Sequence, residues 1–298
     1  MYYIGIDIGG TNLKAGVIDE WGNILGEASV PTGAERHQKE VFEDILLSVE
    51  KAVYASGVSK RDIKAVGMGS PGKIDYETGT VIYNNNLGWK NFHIADLISE
   101  ALHVPAILEN DADAAALGEV VAGSAKGAKS AIIITLGTGV GVGIVFDGKI
   151  YRSSEFGHMV IRSGGRECTC GRKGCFEAYC SATGLIRSTR EACITEPDGS
   201  INGRTVFDAA DNGNEKAQKV IEDYTDDLSC GIVNLINGLQ PEVISLGGGV
   251  SKQGERLLVP LREKVYKEMY KGLAQPRIVS CTLGYKAGLI GAAMSARQ

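Results

Sequence analysis

Two α/β lobes with a cleft between them are what this sequence predicts. Short apolar strands alternate with helix-spaced segments in two runs, glycine-rich turns close three of the strands, and one N-terminal pattern returns in mid-chain. The pattern is Ile6-Asp7-Ile8-Gly9-Gly10-Thr11 against Ile134-Thr135-Leu136-Gly137-Thr138-Gly139, 128 residues on. At the same offset Val17 meets Val145 and Asp19 meets Asp147. Solenoid repeats have periods of about 20–50 residues, so an echo this long points to two related lobes. Thr135 stands where the first copy carries Asp7, so the two turns are expected to differ in role.

The elements follow from local pattern. Residues 3–8 form a short apolar run with one acid, ended by Gly9-Gly10, the mark of a buried strand entering a tight turn. Strands over 14–18 and 24–30 flank the turn residues 19–23. Apolar residues at 41, 42, 45, 46, 49 and 53 share one helix face, predicting a helix over 39–54. A strand over 63–69 ends at Ser70-Pro71-Gly72, and a helix over 94–102, a strand over 105–108 and a helix over 112–121 follow. Beyond the echo the chain reads as mostly helical, over 182–191, 205–211, 215–239, 253–271 and 286–296, with strands at 243–246 and 278–281. The expected lobes are 1–113, joined by the closing segment 286–298, and 114–285.

Composition narrows the class. The chain has 298 residues, 44% hydrophobic and 22% charged, with a net charge of −5, enough for a sizeable core and unsuited to nucleic acid or an anionic membrane. The N-terminus lacks the basic and apolar regions of a signal peptide, and no apolar stretch reaches the roughly 18 residues of a membrane span. The cytoplasm is the expected compartment.

Three glycine turns follow apolar strands: Gly9-Gly10-Thr11, Gly137-Thr138-Gly139 and Gly247-Gly248-Gly249. Glycine lets backbone N–H groups approach a phosphate, and threonine adds a hydroxyl. None fits the P-loop pattern or opens a helix as GxGxxG. Each alone is equally a hairpin turn, and together they favour a split nucleotide site in which Asp7 holds Mg²⁺ through water. Lys14 either reaches a phosphate or is a solvated strand residue. Glu109-Asn110-Asp111 sits where a strand gives way to a helix. By spacing alone Asp111 is an N-cap; the functional alternative is a general base that takes the proton of a sugar hydroxyl, with Asn110 bonding hydroxyls beside it.

His158, Cys168, Cys170 and Cys175 fall within 18 residues of a glycine-rich stretch. In a reducing compartment this set reads as a structural Zn²⁺ site, the alternative being free thiols beside a surface histidine. Closed S₃N coordination would shape a loop and hold Glu155 and Glu177 rigidly. Cys180, Cys193, Cys230 and Cys281 are isolated and expected in the core.

These stretches, with Asp7-Ile8-Gly9-Gly10-Thr11-Asn12, Asn86-Leu87-Gly88-Trp89, Glu109-Asn110-Asp111-Ala112, Glu155-Phe156-Gly157-His158 and the run Cys168 to Glu177, resemble the ROK family (repressors, open reading frames, kinases), and within it the bacterial glucokinases. The resemblance runs in family order from residue 5 to about 250. It implies a two-lobed actin/hexokinase-like (ribonuclease H-like) fold and ATP-dependent phosphorylation of the 6-hydroxyl of glucose. Asp111 is then the catalytic base; Asn86, Asn110, Glu155, His158 and Glu177 contact sugar; Gly10, Thr11, Thr138 and Gly248 contact nucleotide. His158 serves the zinc as well. The family's repressors carry a DNA-binding segment ahead of the first motif, which here starts at residue 7. Other acceptors (N-acetylglucosamine, N-acetylmannosamine, fructose, allose, a β-glucoside) or a sugar-sensing regulator remain compatible with the motifs. A homodimer is the expected assembly.

Overall fold

The computed structural model describes residues 1–84, 87–152 and 155–297. In chain order the first elements are β1 (Tyr2–Ile8), β2 (Asn12–Asp19), β3 (Ile24–Pro31), α1 (Gln38–Ser56), β4 (Ile63–Ser70), β5 (Lys73–Asp75), β6 (Thr80–Asn84), β7 (Trp89–Phe92), α2 (Ile94–Leu102), β8 (Ala106–Asn110) and α3 (Asp111–Ala122). Next come β9 (Ser130–Leu136), β10 (Val140–Phe146), β11 (Lys149–Ile150), α4 (Phe176–Cys180), α5 (Ala182–Glu191), α6 (Thr205–Asp211) and α7 (Glu215–Leu239). The last are β12 (Val243–Gly247), α8 (Gly248–Ser251), α9 (Glu255–Glu268), β13 (Arg277–Ser280) and α10 (Lys286–Ser295).

Two sheets share one strand order, β3-β2-β1-β4-β8 and β11-β10-β9-β12-β13. β1 pairs antiparallel with β2 and parallel with β4. β12 likewise runs parallel to β9 and to β13. The sequence echo is therefore an architectural one. β1 and β9 each end three residues before the next strand begins, leaving Gly9-Gly10-Thr11 and Gly137-Thr138-Gly139 outside the ladders.

A third sheet, β5-β6-β7, is antiparallel and was not legible in the sequence. Its strands are only three to five residues long and each includes lysine or asparagine, so no extended alternating run marks them. Trp89 and Phe92, at the two ends of β7, meet edge to face with centroids 4.9 Å apart. The expected helix over 253–271 is trimmed to α9: Gly254 ahead of it has φ 58°, and Met269 leaves it in extended backbone.

Contacts divide the chain into two compact units, Met1–Lys129 with Gly143–Arg152 and Thr282–Gln298, and Ser130–Val142 with Ser153–Cys281. The division differs from the expected boundary at 113/114 because α3 packs on α10. A Cβ on Gly291 would stand 1.6 Å from the Ala114 carbonyl oxygen, and one on Gly118 would stand 2.1 Å from that of Ala287. Glu119, 1% exposed, accepts from the N–H and hydroxyl of Ser124, each at 2.7 Å, and from the N–H groups of Thr282 and Leu283 at 3.1 and 2.9 Å. The return of the chain into the first unit is thus pinned to α3. In the same unit a core of Ile4, Ile6, Ile8, Leu13, Val66, Met68 and Leu108 fills the sheet faces. Among the described residues no helix is long and apolar enough to cross a membrane.

Replacing Gly291 with alanine forces backbone apart where no side chain can yield, and overpacking of this kind costs about 1–3 kcal/mol. The Gly291→Ala variant should show a lower urea midpoint than wild type at an unchanged m-value; equal midpoints would refute the close packing of α3 on α10.

Candidate functional site

In the first unit the site residues gather at the C-terminal ends of β1, β4 and β8, the end at which ligands bind in open α/β sheets. Asn110, the last residue of β8, caps α3: its Oδ1 accepts from the N–H of Ala112 at 2.9 Å and of Asp113 at 3.4 Å. The N-cap reading of Asp111 is therefore corrected. Asp111 is the first helical residue, and its own Oδ1 takes only a further share of the Ala112 N–H, at 2.9 Å. Burial raises the pKa of Asp111, and the Asp7 carboxylate raises it further. Asp7 is raised too, burial outweighing Lys14, whose Nζ lies 3.5 Å from Asp7 Oδ2. The Lys14 ammonium also lies 5.1 Å from the centre of the Tyr285 ring. Gly288 of α10 lets the helix approach Asp7: a Cβ there would sit 3.3 Å from the Asp7 carboxyl carbon.

A second layer of charge lies behind Asp111, and sequence reading missed it. Glu109 is fully buried and paired by Arg152, whose Nε donates at 3.0 Å and whose Nη2 donates to the other oxygen. The same guanidinium lies 5.3 Å from the centre of the Tyr76 ring. Asp113, 4% exposed, has the Tyr76 hydroxyl 3.4 Å away. Burial pushes its pKa up to about 7, helped by Glu109 and Asp111. A carboxylate two residues past Asp111 was the available signal, but the partner arginine lies 43 residues from Glu109.

The second unit carries the soft ligands. One donor atom each from His158, Cys168, Cys170 and Cys175 lie within 4.8 Å of one another. Bridges Val160↔Cys175 and Glu167↔Lys173 fold the segment back on itself. Gly157 carries the preceding turn over the strand, since a Cβ there would meet the Val140 carbonyl oxygen at 2.0 Å. Tetrahedral zinc with bonds of about 2.3 Å sets sulfurs about 3.7 Å apart. Cys170 Sγ and Cys175 Sγ are 3.7 Å apart, and Cys168 Sγ lies 3.6 Å from His158 Nδ1. Burial pushes the Cys175 thiol up to about 12, and the neighbouring thiols add to it, so its thiolate form calls for a cation beside it. The donor set fits a tetrahedral soft metal.

Glu177 follows this loop. Its Oε2 accepts the Val140 N–H at 3.1 Å, and its Oε1 accepts the Thr169 hydroxyl at 3.0 Å. Glu155 is exposed just ahead of the Phe156–His158 turn. Gly247-Gly248-Gly249 lies beside Gly137-Thr138-Gly139: Gly247 pairs with Thr135, and a Cβ on Gly248 would meet the Leu136 carbonyl oxygen at 2.4 Å. Gly9-Gly10-Thr11 and Asn12 belong to the first unit. Asn86 lies outside the described residues. Of the isolated cysteines only Cys180 is buried; Cys281 is half-buried and Cys193 and Cys230 are exposed, correcting the expectation of core positions.

Two sheets of one strand order, each with a glycine-threonine turn and the first with strand-end acids as well, define a two-lobed α/β chain of the actin and hexokinase class. Over residues 3–298 the sequence fits the family model described as the ROK family. The chain belongs to the ROK family. It is 36% identical to a glucokinase of Halalkalibacterium halodurans, covering 100% of this chain and 95% of that one. Among solved structures, a ROK hexokinase from Thermus thermophilus superposes with a TM-score of 0.86 at 33% identity, covering 100% of this chain and 98% of that one. A ROK family glucokinase from Streptomyces griseus, in complex with glucose and AMPPNP, gives 0.79 at 33% identity with both chains fully covered.

A carboxyl group held near pKa 7 in the fold and at 3.8 in the unfolded chain binds protons preferentially when folded between those values. Its contribution to stability is therefore full below pH about 4 and is lost as pH rises to about 7. Asp113→Asn removes this loss, worth on the order of a few kcal/mol. The stability gained over wild type should grow from pH 4 to 7 and stay level above; a gain independent of pH would contradict the assignment.

Proposed function

We propose that this chain is an ATP-dependent hexose kinase acting on the 6-hydroxyl of glucose. The observation that carries this reading is the division of labour at the head of α3. Asn110 spends its Oδ1 on the cap, and Asp111, with a raised pKa, is left at the strand end as a base poised for a hydroxyl proton. The relatives named glucokinase, and the one crystallised with glucose and AMPPNP, supply the substrate class.

In this reading the Asn110 Nδ2 amide, Glu155, His158 and Glu177 hold the sugar hydroxyls. Asp111 accepts the proton of the 6-hydroxyl as its oxygen attacks the γ-phosphorus, and the β–γ bond breaks to release ADP. The glycine turns offer N–H groups to the phosphate charge, apart from those of Gly9 and Gly137, which are bonded to the Asn12 and Gly139 carbonyls. Asp7, only partly neutralised by Lys14, is the carboxylate suited to hold Mg²⁺ through water. When bound, magnesium neutralises charge on the triphosphate. His158, Cys168, Cys170 and Cys175 hold Zn²⁺, whose closed coordination sphere shapes the loop ahead of Glu177. With Nδ1 turned to the thiols, His158 keeps Nε2 for a sugar hydroxyl. A metal-binding set of thiols and the use of ATP suit a reducing, cytoplasmic compartment.

Asp111→Asn keeps the shape of the side chain and removes the base. We expect normal folding and a fall in kcat of about 10²–10⁴, the usual range for a general base, in a coupled ADP assay with glucose and a panel of other hexoses. Near-wild-type turnover would remove Asp111 from the chemistry, and a different preferred sugar would revise the acceptor. Metal analysis of the purified protein should return about one zinc per chain. A Cys170→Ser variant that binds as much zinc as wild type would contradict the ligand set.

A further inference from the structure

The carbonyl groups of the two glycine-threonine turns are tied back in the same way. Thr32, fully buried just after β3, donates its hydroxyl to the Gly9 carbonyl at 2.6 Å and its N–H to the Thr11 carbonyl at 2.9 Å. In the other turn Thr183, at the start of α5, donates its hydroxyl to the Thr138 carbonyl at 2.8 Å. The N–H of Ala182 completes that pair on the Gly137 carbonyl at 2.7 Å. Each turn therefore has two carbonyls held by one threonine hydroxyl and one backbone N–H.

A trans peptide points its C=O and N–H in opposite directions. Pinning the Gly9 carbonyl turns the Gly10 N–H the other way, and pinning the Thr138 carbonyl does the same for the Gly139 N–H. An anion-binding turn needs this arrangement, because a carbonyl oxygen facing a phosphate repels it while an N–H attracts it. The strand ladders do not impose it, since residues 9–11 and 137–139 lie outside them. Nor is the pattern inherited from the internal echo. At the offset of 128 residues Thr32 falls on Val160, and Thr183 comes from a helix instead of a strand-following loop. Two unrelated threonines have come to do one job.

We propose that Thr32 and Thr183 are positioning residues for the phosphate groups of the nucleotide, each withdrawing a turn carbonyl so that the Gly10 and Gly139 N–H groups face the anion. The inference rests on the kinase reading above and adds two residues to it.

Thr32→Val and Thr183→Val keep size and shape and remove the donor. We expect the KM for ATP to rise about five- to tenfold in each, the loss of one hydrogen bond, with the KM for the hexose within about twofold of wild type. Serine at either position should restore the wild-type value. A non-hydrolysable ATP analogue, titrated without sugar, should lose affinity by the same factor. Analogue affinity within twofold of wild type in both valine variants would overturn the proposal, as would a parallel rise in both KM values or a serine variant no better than valine. If the buried Thr32→Val fails to fold, Thr183→Val, at an exposed position, decides. Wild-type protein that phosphorylates no hexose would sink the kinase reading, and the analogue titration would still test the two threonines.

Discussion

The cap that Asn110 places on α3 is the constraint from which the chemistry of the first unit follows. A helix begins with N–H groups that need acceptors, and any nearby carboxylate is drawn to them. With the amide oxygen of Asn110 on two of those N–H groups, the neighbouring acid is only lightly engaged. Burial and Asp7 then raise its pKa, which suits it to receive a proton. The cap works only if α3 stays where it is. That is secured along the helix, where Gly291 meets Ala114, Gly118 meets Ala287 and Glu119 gathers the N–H groups of Thr282 and Leu283.

The same economy of ligands appears in the second unit. Glu177 shares its two oxygens between the Thr169 hydroxyl, inside the cysteine loop, and the Val140 N–H, directly after the glycine-threonine turn. A carboxylate that ties these two segments cannot drift when either is disturbed. The loop is anchored from behind as well, by an ion pair of 2.6 Å between Arg162 and Asp227 of α7. A metal at the four soft ligands would therefore stiffen the ground on which Glu177 stands, which is what a closed coordination sphere can contribute without chemistry of its own.

What could be read in advance, and what could not, divides along the range of the interactions. The helices over 94–102, 182–191, 205–211 and 215–239 fall where periodicity placed them, because each has a polar flank and an apolar face of its own. The small sheet β5-β6-β7 escaped, since its strands are too short to show a period. At the head of α3 spacing alone favoured Asp111 as the cap, and the structure gives that place to Asn110. Asparagine and aspartate are equally good caps, and only the backbone angles decide which of two neighbours takes the job. The cysteine loop was legible because its ligands are close in sequence. Arg152 on Glu109, Thr32 on Gly9 and Thr183 on Thr138 were not, because nothing local distinguishes a threonine or arginine that finds its partner 23 to 45 residues away.

The repeated sheet order shows how one scaffold can be given two roles. β1 and β9 end in the same three-residue turn and run beside the same neighbours, yet the position that carries Asp7 in one carries Thr135 in the other. An acid there, with Lys14 across the ladder and Gly288 opening room for it, gives the first turn a charge of its own. At the second turn no charge is placed at that position, and the glycines of 247–249 come alongside instead, adding N–H groups. Two turns of equal length thus stand at equivalent places in two sheets, and the residue at the strand end distinguishes them. Because the acid stands on the sheet that also bears Asp111, its charge adds to burial in raising the Asp111 pKa, a coupling that Thr135 at the other strand end could not supply.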